Sequence, residues 1–162
     1  MSFKFTDQNL IKVRQNIKQY PPGKEKSAIL FILSLAQEQN EGWLSKDSLE
    51  YIADFLSLPI LKIYEIASFY SMYNLKKIGK YHLQICTNIV CMLRGSDKIL
   101  NSCKNFCSKN KDFTLSEVEC LGACVNSPVV QINENYYENL DESKISNILL
   151  KLNEQNFHKT VK

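Results

Sequence analysis

Two close pairs of cysteines in the second half of the chain are the feature that most constrains its fold. Cys86 and Cys91 are separated by four residues, and Cys120 and Cys124 by three. Each pair follows a segment that is predicted to be a β-strand, so two loops at one edge of a sheet can bring the four thiols together. Thiolates are soft ligands, which suit either a tetrahedral zinc ion or an iron–sulfur cluster. The sequence therefore predicts a metal centre in the second half of the chain.

The spacing of these cysteines favours iron over zinc. Structural zinc sites usually place paired cysteines roughly two to four residues apart in tight knuckles, and the two gaps here only partly satisfy that habit. A 2Fe-2S cluster is wider, since each iron takes two thiolates. Gly122 and Ala123 lie inside the second pair, where small side chains let backbone N–H groups approach the sulfurs. The residues alone favour a cluster and leave structural zinc open.

The remaining cysteines and both histidines are predicted to have other roles. Cys103 and Cys107 lie four residues apart on a predicted helix, where free cysteine usually packs as a small apolar side chain; an alternative ligand pair is the less favoured interpretation. His82 lies in a predicted strand and His158 in the C-terminal tail, and neither is predicted to be a ligand. A thiol–disulfide enzyme is disfavoured because the chain has no C-x-x-C motif. No triad, phosphate-binding loop or paired-carboxylate motif occurs, so no catalytic residues are predicted.

Composition and charge indicate a soluble globular chain that is not exported. Hydrophobic residues make up 44% and charged residues 23% of the sequence, near the globular averages of roughly 45–50% and 25%. Residues 1–15 lack the apolar segment of a secretory signal, and no apolar run approaches the roughly 20 residues that span a bilayer. Structural disulfides are rare in the reducing compartment expected for such a chain, which again favours metal binding. The net charge of +3 is dispersed, so neither a nucleic-acid partner nor direct membrane insertion is predicted.

Residues 1–76 are predicted to form an N-terminal helical bundle. Apolar residues recur at helical spacing in four segments, which are separated by residues 21–23, residues 40–42 and Pro59. Ser45 is a suitable N-cap for the third helix. The aromatic residues of the fourth helix are predicted to belong to the core: Tyr64, Phe69, Tyr70 and Tyr73.

Residues 77–162 show a different pattern, which predicts a second domain of α+β or α/β class. Residues 81–87 and 113–120 are predicted to be strands, and residues 129–137 have the polar turn and aromatic flank of a β-hairpin. Residues 92–107 are predicted to form one helix, with Leu93 available for burial. Asp141 is predicted to cap a last helix. The order strand, helix, strand, hairpin and helix is typical of a mixed fold.

Several segments together resemble a known family. The cysteine regions read CTNIVCMLRGSDKIL and FTLSEVECLGACVNSPVVQIN, followed by YYENL, while the first half contains KEKSAILFILSLAQEQNEGWLS and YEIASFYSMYNL before GKYHLQIC. In these segments the chain resembles the thioredoxin-like 2Fe-2S subunit of respiratory NADH-quinone oxidoreductase, the complex I 24 kDa family. The stretch from residue 108 to residue 112 is shorter than that family's usual one, and Ser127 stands where alanine is common. Neither departure affects a cysteine of the two pairs.

This resemblance implies a cofactor, a function and a set of partners. It implies that one 2Fe-2S cluster is held by Cys86, Cys91, Cys120 and Cys124, in a thioredoxin-like ferredoxin domain formed by residues 77–162. The chain is then expected to be an electron-transfer subunit of NADH:quinone oxidoreductase, an enzyme subunit without a complete active site of its own. Its expected partners are the flavoprotein subunit that binds FMN and NADH, and other peripheral-arm subunits. The cluster is expected to accept single electrons from the partner's FMN.

Related assignments are open at this point. The equivalent diaphorase subunit of an NAD-linked hydrogenase or formate dehydrogenase has a related module, and a structural zinc module is a less favoured alternative. The expected location is cytoplasmic, peripheral on the cytoplasmic face of the inner membrane, or on the matrix side in a mitochondrion.

Arg94, just past Cys91, is a candidate for raising the cluster potential, or equally a surface or partner-contacting residue.

Overall fold

The computed structural model of this chain describes residues 3–160, with side chains as far as residue 154. The chain divides between Ile78 and Gly79 into two compact units; the sequence pattern predicted a change between residues 76 and 77. Residues 161 and 162 of the predicted second domain lie outside the described part, as does the side chain of His158. None of the helices within residues 3–160 is long and apolar enough to cross a membrane.

The first unit, described from residue 3 onward, contains four α-helices: α1 (Asp7–Ile17), α2 (Ile29–Gln39), α3 (Lys46–Leu56) and α4 (Ile60–Phe69). Two of them begin with a side-chain cap. The Thr6 hydroxyl accepts a hydrogen bond from the Asn9 N–H at 3.3 Å, and the Ser45 hydroxyl accepts one from the Ser48 N–H at 3.2 Å. Such caps satisfy N–H groups that lack a partner within the helix. The predicted capping role of Ser45 is confirmed.

The core of the first unit includes buried side chains of all four of its α-helices. Ile32 on α2, Ile52 on α3 and Ile63 on α4 have no exposed surface. Tyr73, which follows α4, is also buried, and its hydroxyl donates a hydrogen bond to the Leu30 carbonyl at 2.8 Å. Burying each large apolar side chain stabilises the folded state by about 1.5–3 kcal/mol. Packing of these faces therefore holds the bundle together.

Only one face of α4 joins this core, which corrects the sequence prediction. Three aromatics predicted to lie in the core are exposed, namely Tyr64 and Phe69 of α4 and Tyr70 directly after it. The buried residues of α4 are Ile63 and Ala67, which lie four residues apart and so share a face. Apolar residues occur on every side of this helix, so helical periodicity does not identify the face that neighbours will cover.

The second unit, described as far as residue 160, contains a small mixed sheet. Its strands are β1 (Tyr81–Cys86), β2 (Phe113–Val118), β3 (Val130–Ile132) and β4 (Asn135–Tyr137), in the spatial order β2-β1-β3-β4. β1 pairs parallel with β2 and antiparallel with β3, while β3 and β4 form the predicted hairpin. The helices of this unit are α5 (Ile89–Leu93), α6 (Ser96–Cys107) and α7 (Glu142–Thr160). Helices combined with a small mixed sheet confirm the predicted fold class.

The core of the second unit is formed by the sheet together with α6 and α7. Leu83 and Ile85 of β1 are fully buried, and they belong to one apolar cluster with side chains of both helices, among them Ile99, Cys103, Ile145 and Leu149. The start of α7 is capped by Asp141, whose carboxylate accepts a hydrogen bond from the Lys144 N–H at 2.8 Å. The predicted cap of the last helix is therefore confirmed.

The single helix predicted over residues 92–107 is wrong. α5 ends at Leu93 and α6 begins at Ser96, and Gly95 between them has a left-handed φ of +92°. Glycine adopts this conformation readily because it has no Cβ. The break separates α5 from the helix that packs in the core. Leu93, for which the sequence predicts burial, is therefore 77% exposed.

His82 is a packing residue of β1. Its side chain is buried, and its Nε2 lies 2.8 Å from the Ser116 hydroxyl of β2. Burial lowers the pKa of His82, because a charged ring is poorly solvated away from water. The neutral imidazole is therefore the form that the folded protein favours.

Gly79 offers a test of close backbone packing in the second unit. A Cβ at this position would lie 2.5 Å from the Asp112 carbonyl oxygen, which also accepts a hydrogen bond from the Tyr81 N–H at 2.9 Å. We expect Gly79→Ala to destabilise this unit by about 1–3 kcal/mol, seen as a lower midpoint of thermal unfolding followed by circular dichroism. Asn101→Ala, at an exposed position of α6, is the control and should melt like the parent. An unchanged midpoint for Gly79→Ala would mean that the loop moves aside without cost.

The burial of His82 also predicts a pH dependence of stability. Its folded pKa lies below the unfolded value of about 6.5, so the unfolded chain binds the proton more tightly. We expect the free energy of unfolding to fall as the pH decreases below about 6.5, with no contribution from this group at higher pH. Urea unfolding at several pH values checks this, and His82→Gln should weaken the decline. An equal decline in both proteins would assign it to other groups.

Candidate metal centre

The first cysteine pair lies where β1 ends and α5 begins. Cys86 is the last residue of β1, Cys91 lies in α5, and both thiols are buried. The Asn88 side chain caps α5 by accepting a hydrogen bond from the N–H of its first residue at 2.8 Å. The loop is also fixed to β2, because the Thr87 N–H bonds to the Val118 carbonyl at 3.1 Å. Local capping and sheet pairing thus hold this pair in place.

The second pair lies in the loop that follows β2. Cys120 and Cys124 are both exposed, and Cys124 begins a short 3₁₀ turn, Cys124–Asn126. Gly122 between them has a left-handed φ of +73°, with open space where a Cβ would be, so conformation rather than room favours glycine here. Its N–H donates a hydrogen bond to the Cys120 sulfur at 3.3 Å. Such a bond stabilises negative charge on the sulfur.

Thiols of both loops affect the pKa of Cys91. Burial raises the pKa of Cys91 to about 11. A hydrogen bond with the Cys86 thiol also raises this pKa, and so does the charge of the Cys124 thiol when it is ionised. A hydrogen bond to the backbone of Val129 opposes this rise. Cys124 therefore lies close enough to Cys91 to affect its pKa, although it belongs to the other loop.

Cys120 lies next to a contact between the two loops. The residue before it, Glu119, has its carbonyl oxygen 3.9 Å from the Cys86 sulfur, so the loops are in contact on this side too. Among the side chains of residues 3–154, no three Cys, His, Asp or Glu groups are arranged to hold one metal ion. A 2Fe-2S cluster has a different requirement, namely two thiolates on each of two irons. Two cysteine pairs on adjacent loops fit that requirement.

The other two cysteines lie away from these loops, on α6. Cys103 is fully buried in the core beneath the sheet, and Cys107 is partly buried. Burial raises the pKa of Cys103 to about 12 and also raises the pKa of Cys107. Thiols that resist ionisation in an apolar setting behave as small apolar side chains. Their burial on a helix face agrees with the sequence pattern.

An exposed apolar surface beside the cysteine loops was missed by sequence reasoning. We call it the apolar rim, and its members are Ile89, Val90, Met92, Leu93 and Val125. Leu93 and Val125 are 77% and 87% exposed. Grouped exposed apolar residues mark a contact surface more often than isolated ones do. The sequence feature that could have predicted this surface is the run IVCML, which is apolar throughout and too short to be buried on all sides.

Comparisons with known proteins agree with this geometry. Residues 13–153 match the family described as thioredoxin-like [2Fe-2S] ferredoxin. An NADH-quinone oxidoreductase subunit of Rickettsia conorii is 49% identical over 158 residues, which cover 93% of this chain and 95% of the relative. The corresponding protein of Rickettsia typhi is 51% identical over 155 residues, covering 91% of each chain. NADH dehydrogenase [ubiquinone] flavoprotein 2, mitochondrial, of Dictyostelium discoideum is 42% identical over 91% of this chain and 62% of its own.

A solved structure shares the fold. The chain superposes on an NAD+-reducing [NiFe]-hydrogenase in the air-oxidized state with a TM-score of 0.63 and 21% sequence identity. The match covers 76% of this chain but only 23% of the hydrogenase chain. Both the extent of the family match and the identity to full-length relatives confirm the predicted family and its 2Fe-2S cofactor. This chain belongs to the thioredoxin-like [2Fe-2S] ferredoxin family.

Proposed function

We propose that this chain is the 2Fe-2S electron-transfer subunit of an NADH-quinone oxidoreductase. The observation that supports the proposal is that the loops carrying the two cysteine pairs leave the parallel strands β1 and β2 at the same edge of the sheet. This arrangement occurs in a chain that is 49–51% identical to NADH-quinone oxidoreductase subunits of two Rickettsia species over more than nine-tenths of its length. The chain is thus part of an oxidoreductase, although it has no complete active site of its own.

The proposed cluster ligands are Cys86, Cys91, Cys120 and Cys124. When bound, a 2Fe-2S cluster accepts and releases one electron at a time. The buried first pair keeps water away from one side of the site, while the exposed second pair leaves the other side at the surface. The Gly122 N–H bond to Cys120 stabilises the negative charge that increases there on reduction.

The proposed electron donor is the flavin of a partner subunit that binds FMN and NADH. Because Cys120 and Cys124 are exposed beside the apolar rim, a partner docked on the rim would lie close to the site and exclude water from it. Other peripheral-arm subunits complete the assembly. We place the chain peripherally, on the cytoplasmic face of the inner membrane or on the matrix side in a mitochondrion.

A second candidate is the equivalent diaphorase subunit of an NAD-linked hydrogenase. The shared fold with the NAD+-reducing hydrogenase favours it, but at 21% identity that likeness concerns the fold alone. Purification of the native complex distinguishes the two assignments. NADH-dependent quinone reduction in the complex supports the first, and hydrogen-dependent NAD+ reduction supports the second.

Replacement of a ligand should abolish cluster binding. We expect Cys86→Ala, Cys91→Ala, Cys120→Ala and Cys124→Ala each to remove most of the bound iron and sulfide, because each substitution deprives one iron of one of its two protein thiolates. The measurement is iron, sulfide and zinc content after anaerobic expression, with visible absorption and low-temperature EPR of the dithionite-reduced protein.

The cysteines of α6 provide matched controls for this experiment. Cys103→Ala and Cys107→Ala should keep the full iron and sulfide content, although the buried Cys103→Ala variant should melt at a lower temperature. Loss of the cluster in either control would contradict the ligand assignment. A colourless parent protein that contains stoichiometric zinc would remove the electron-transfer proposal.

Charge on the apolar rim should prevent docking. We expect Leu93→Asp and Val125→Asp to weaken binding of the FMN-containing subunit by at least tenfold, because a partner would have to bury an unpaired carboxylate. Co-purification with that subunit and titration by light scattering measure this effect. Both variants should keep the cluster spectrum of the parent.

The control for docking is Lys109→Asp, an exposed substitution at the end of α6. It changes the charge more than the rim variants do, yet it should leave the affinity for the partner unchanged. Parent-like binding by both rim variants would locate the docking surface elsewhere.

A further inference from the structure

Arg94 joins the two loops that carry the cysteines. It directly follows α5, three residues after Cys91, and its Nη1 donates hydrogen bonds to the carbonyls of Val125 at 3.3 Å and Ser127 at 3.2 Å. Both carbonyls belong to the segment that starts at Cys124. One side chain therefore connects the helix of the first pair to the turn of the second pair, 31–33 residues later in the chain.

The turn is also hydrogen-bonded to the residues that follow β4. The Asn126 carbonyl accepts a hydrogen bond from the Asn139 N–H at 2.7 Å, and the Asn126 side chain donates one to Glu138 at 2.8 Å. These bonds fix the turn relative to the region after β4. The Arg94 bonds fix the turn relative to α5. The position of Cys124 with respect to Cys91 thus depends on the guanidinium.

Arg94 also places a positive charge at this edge of the sheet. A guanidinium stays protonated at all relevant pH values, and none of the side-chain ion pairs formed within residues 3–154 includes Arg94. A thiolate-bound cluster is anionic, and reduction adds another negative charge. A nearby cation therefore stabilises the reduced state more than the oxidised state.

We propose that Arg94 is a positioning residue that holds the Cys124 turn against α5 and raises the cluster potential with its charge. The proposal rests on the ligand assignment made under the proposed function. Both hydrogen bonds of Arg94 go to backbone carbonyls, which are neutral. They therefore leave the positive charge of the guanidinium uncompensated. Because Arg94 is exposed, the effect of its charge decreases as salt increases.

The test compares three substitutions in the full chain with its cluster in place: Arg94→Gln, Arg94→Lys and Lys98→Gln. Lys98, on the exposed side of α6, is the matched control because its replacement removes the same charge from a side chain that does not hold the Cys124 turn. The midpoint potential is measured by EPR-monitored redox titration at low and high salt. The rate of cluster loss to a chelator is measured by visible absorption.

Each variant has a distinct expected result. Arg94→Gln should shift the potential downward and lose the cluster roughly tenfold faster, as expected for the loss of two charge-assisted hydrogen bonds. Arg94→Lys should keep the potential close to that of the parent but lose the cluster faster, since an ammonium cannot reproduce the guanidinium geometry. Lys98→Gln should match the parent in both measurements.

Two outcomes would overturn the proposal. An Arg94→Gln protein with the parent potential would reduce Arg94 to a structural role, even if its cluster were lost faster. If Arg94→Gln fails to fold, an Arg94→Lys protein with the parent rate of cluster loss would exclude the positioning role. A parent chain that binds no cluster would instead count against the proposed function itself.

Discussion

Parallel pairing of β1 with β2 is the constraint on which the site depends. The two strands align residue for residue, with Cys86 opposite Val118. Because parallel strands run in the same direction, their C-terminal ends lie at the same edge of the sheet, and the two cysteine loops leave the sheet side by side. A register shift of one residue would turn Cys86 to the other face. Backbone hydrogen bonding thus determines where the two pairs meet.

The connection between β1 and β2 contains two helices with different environments. One packs in the core of the second unit, and the other lies at the sheet edge that carries the cysteines. α6 packs through Ile99 and Cys103 into the core. α5, which carries Cys91, is only five residues long and leaves most of its apolar side chains in water. Exposed apolar surface costs free energy in the isolated chain. That cost is offset in a subunit whose proposed task is to bind a partner and accept electrons from it.

Burial alone does not distinguish the proposed ligand cysteines from the cysteines of α6. Cys91 and Cys103 are both buried, and burial is the largest cause of the raised pKa of each thiol. The difference lies in their surroundings. Cys91 has other thiols of both loops beside it, whereas Cys103 is packed among apolar side chains and near Cys107 on the same helix. Position at a sheet edge, rather than residue type or burial, separates the candidate ligands from the core residues.

Sequence alone determined the features that depend on neighbours along the chain. The sequence was sufficient to predict the caps at Ser45 and Asp141 and the hairpin after residue 129, because turn and cap chemistry acts over a few residues. The spacing within each cysteine pair is likewise a local feature. Tertiary structure decided which face of α4 is covered, how residues 92–107 divide at Gly95, and which carbonyls Arg94 reaches. Uniformly apolar stretches carry no periodic signal, so only the arrangement of packed neighbours selects the face that is buried. Contacts between segments some thirty residues apart likewise arise only after the sheet has brought those segments together.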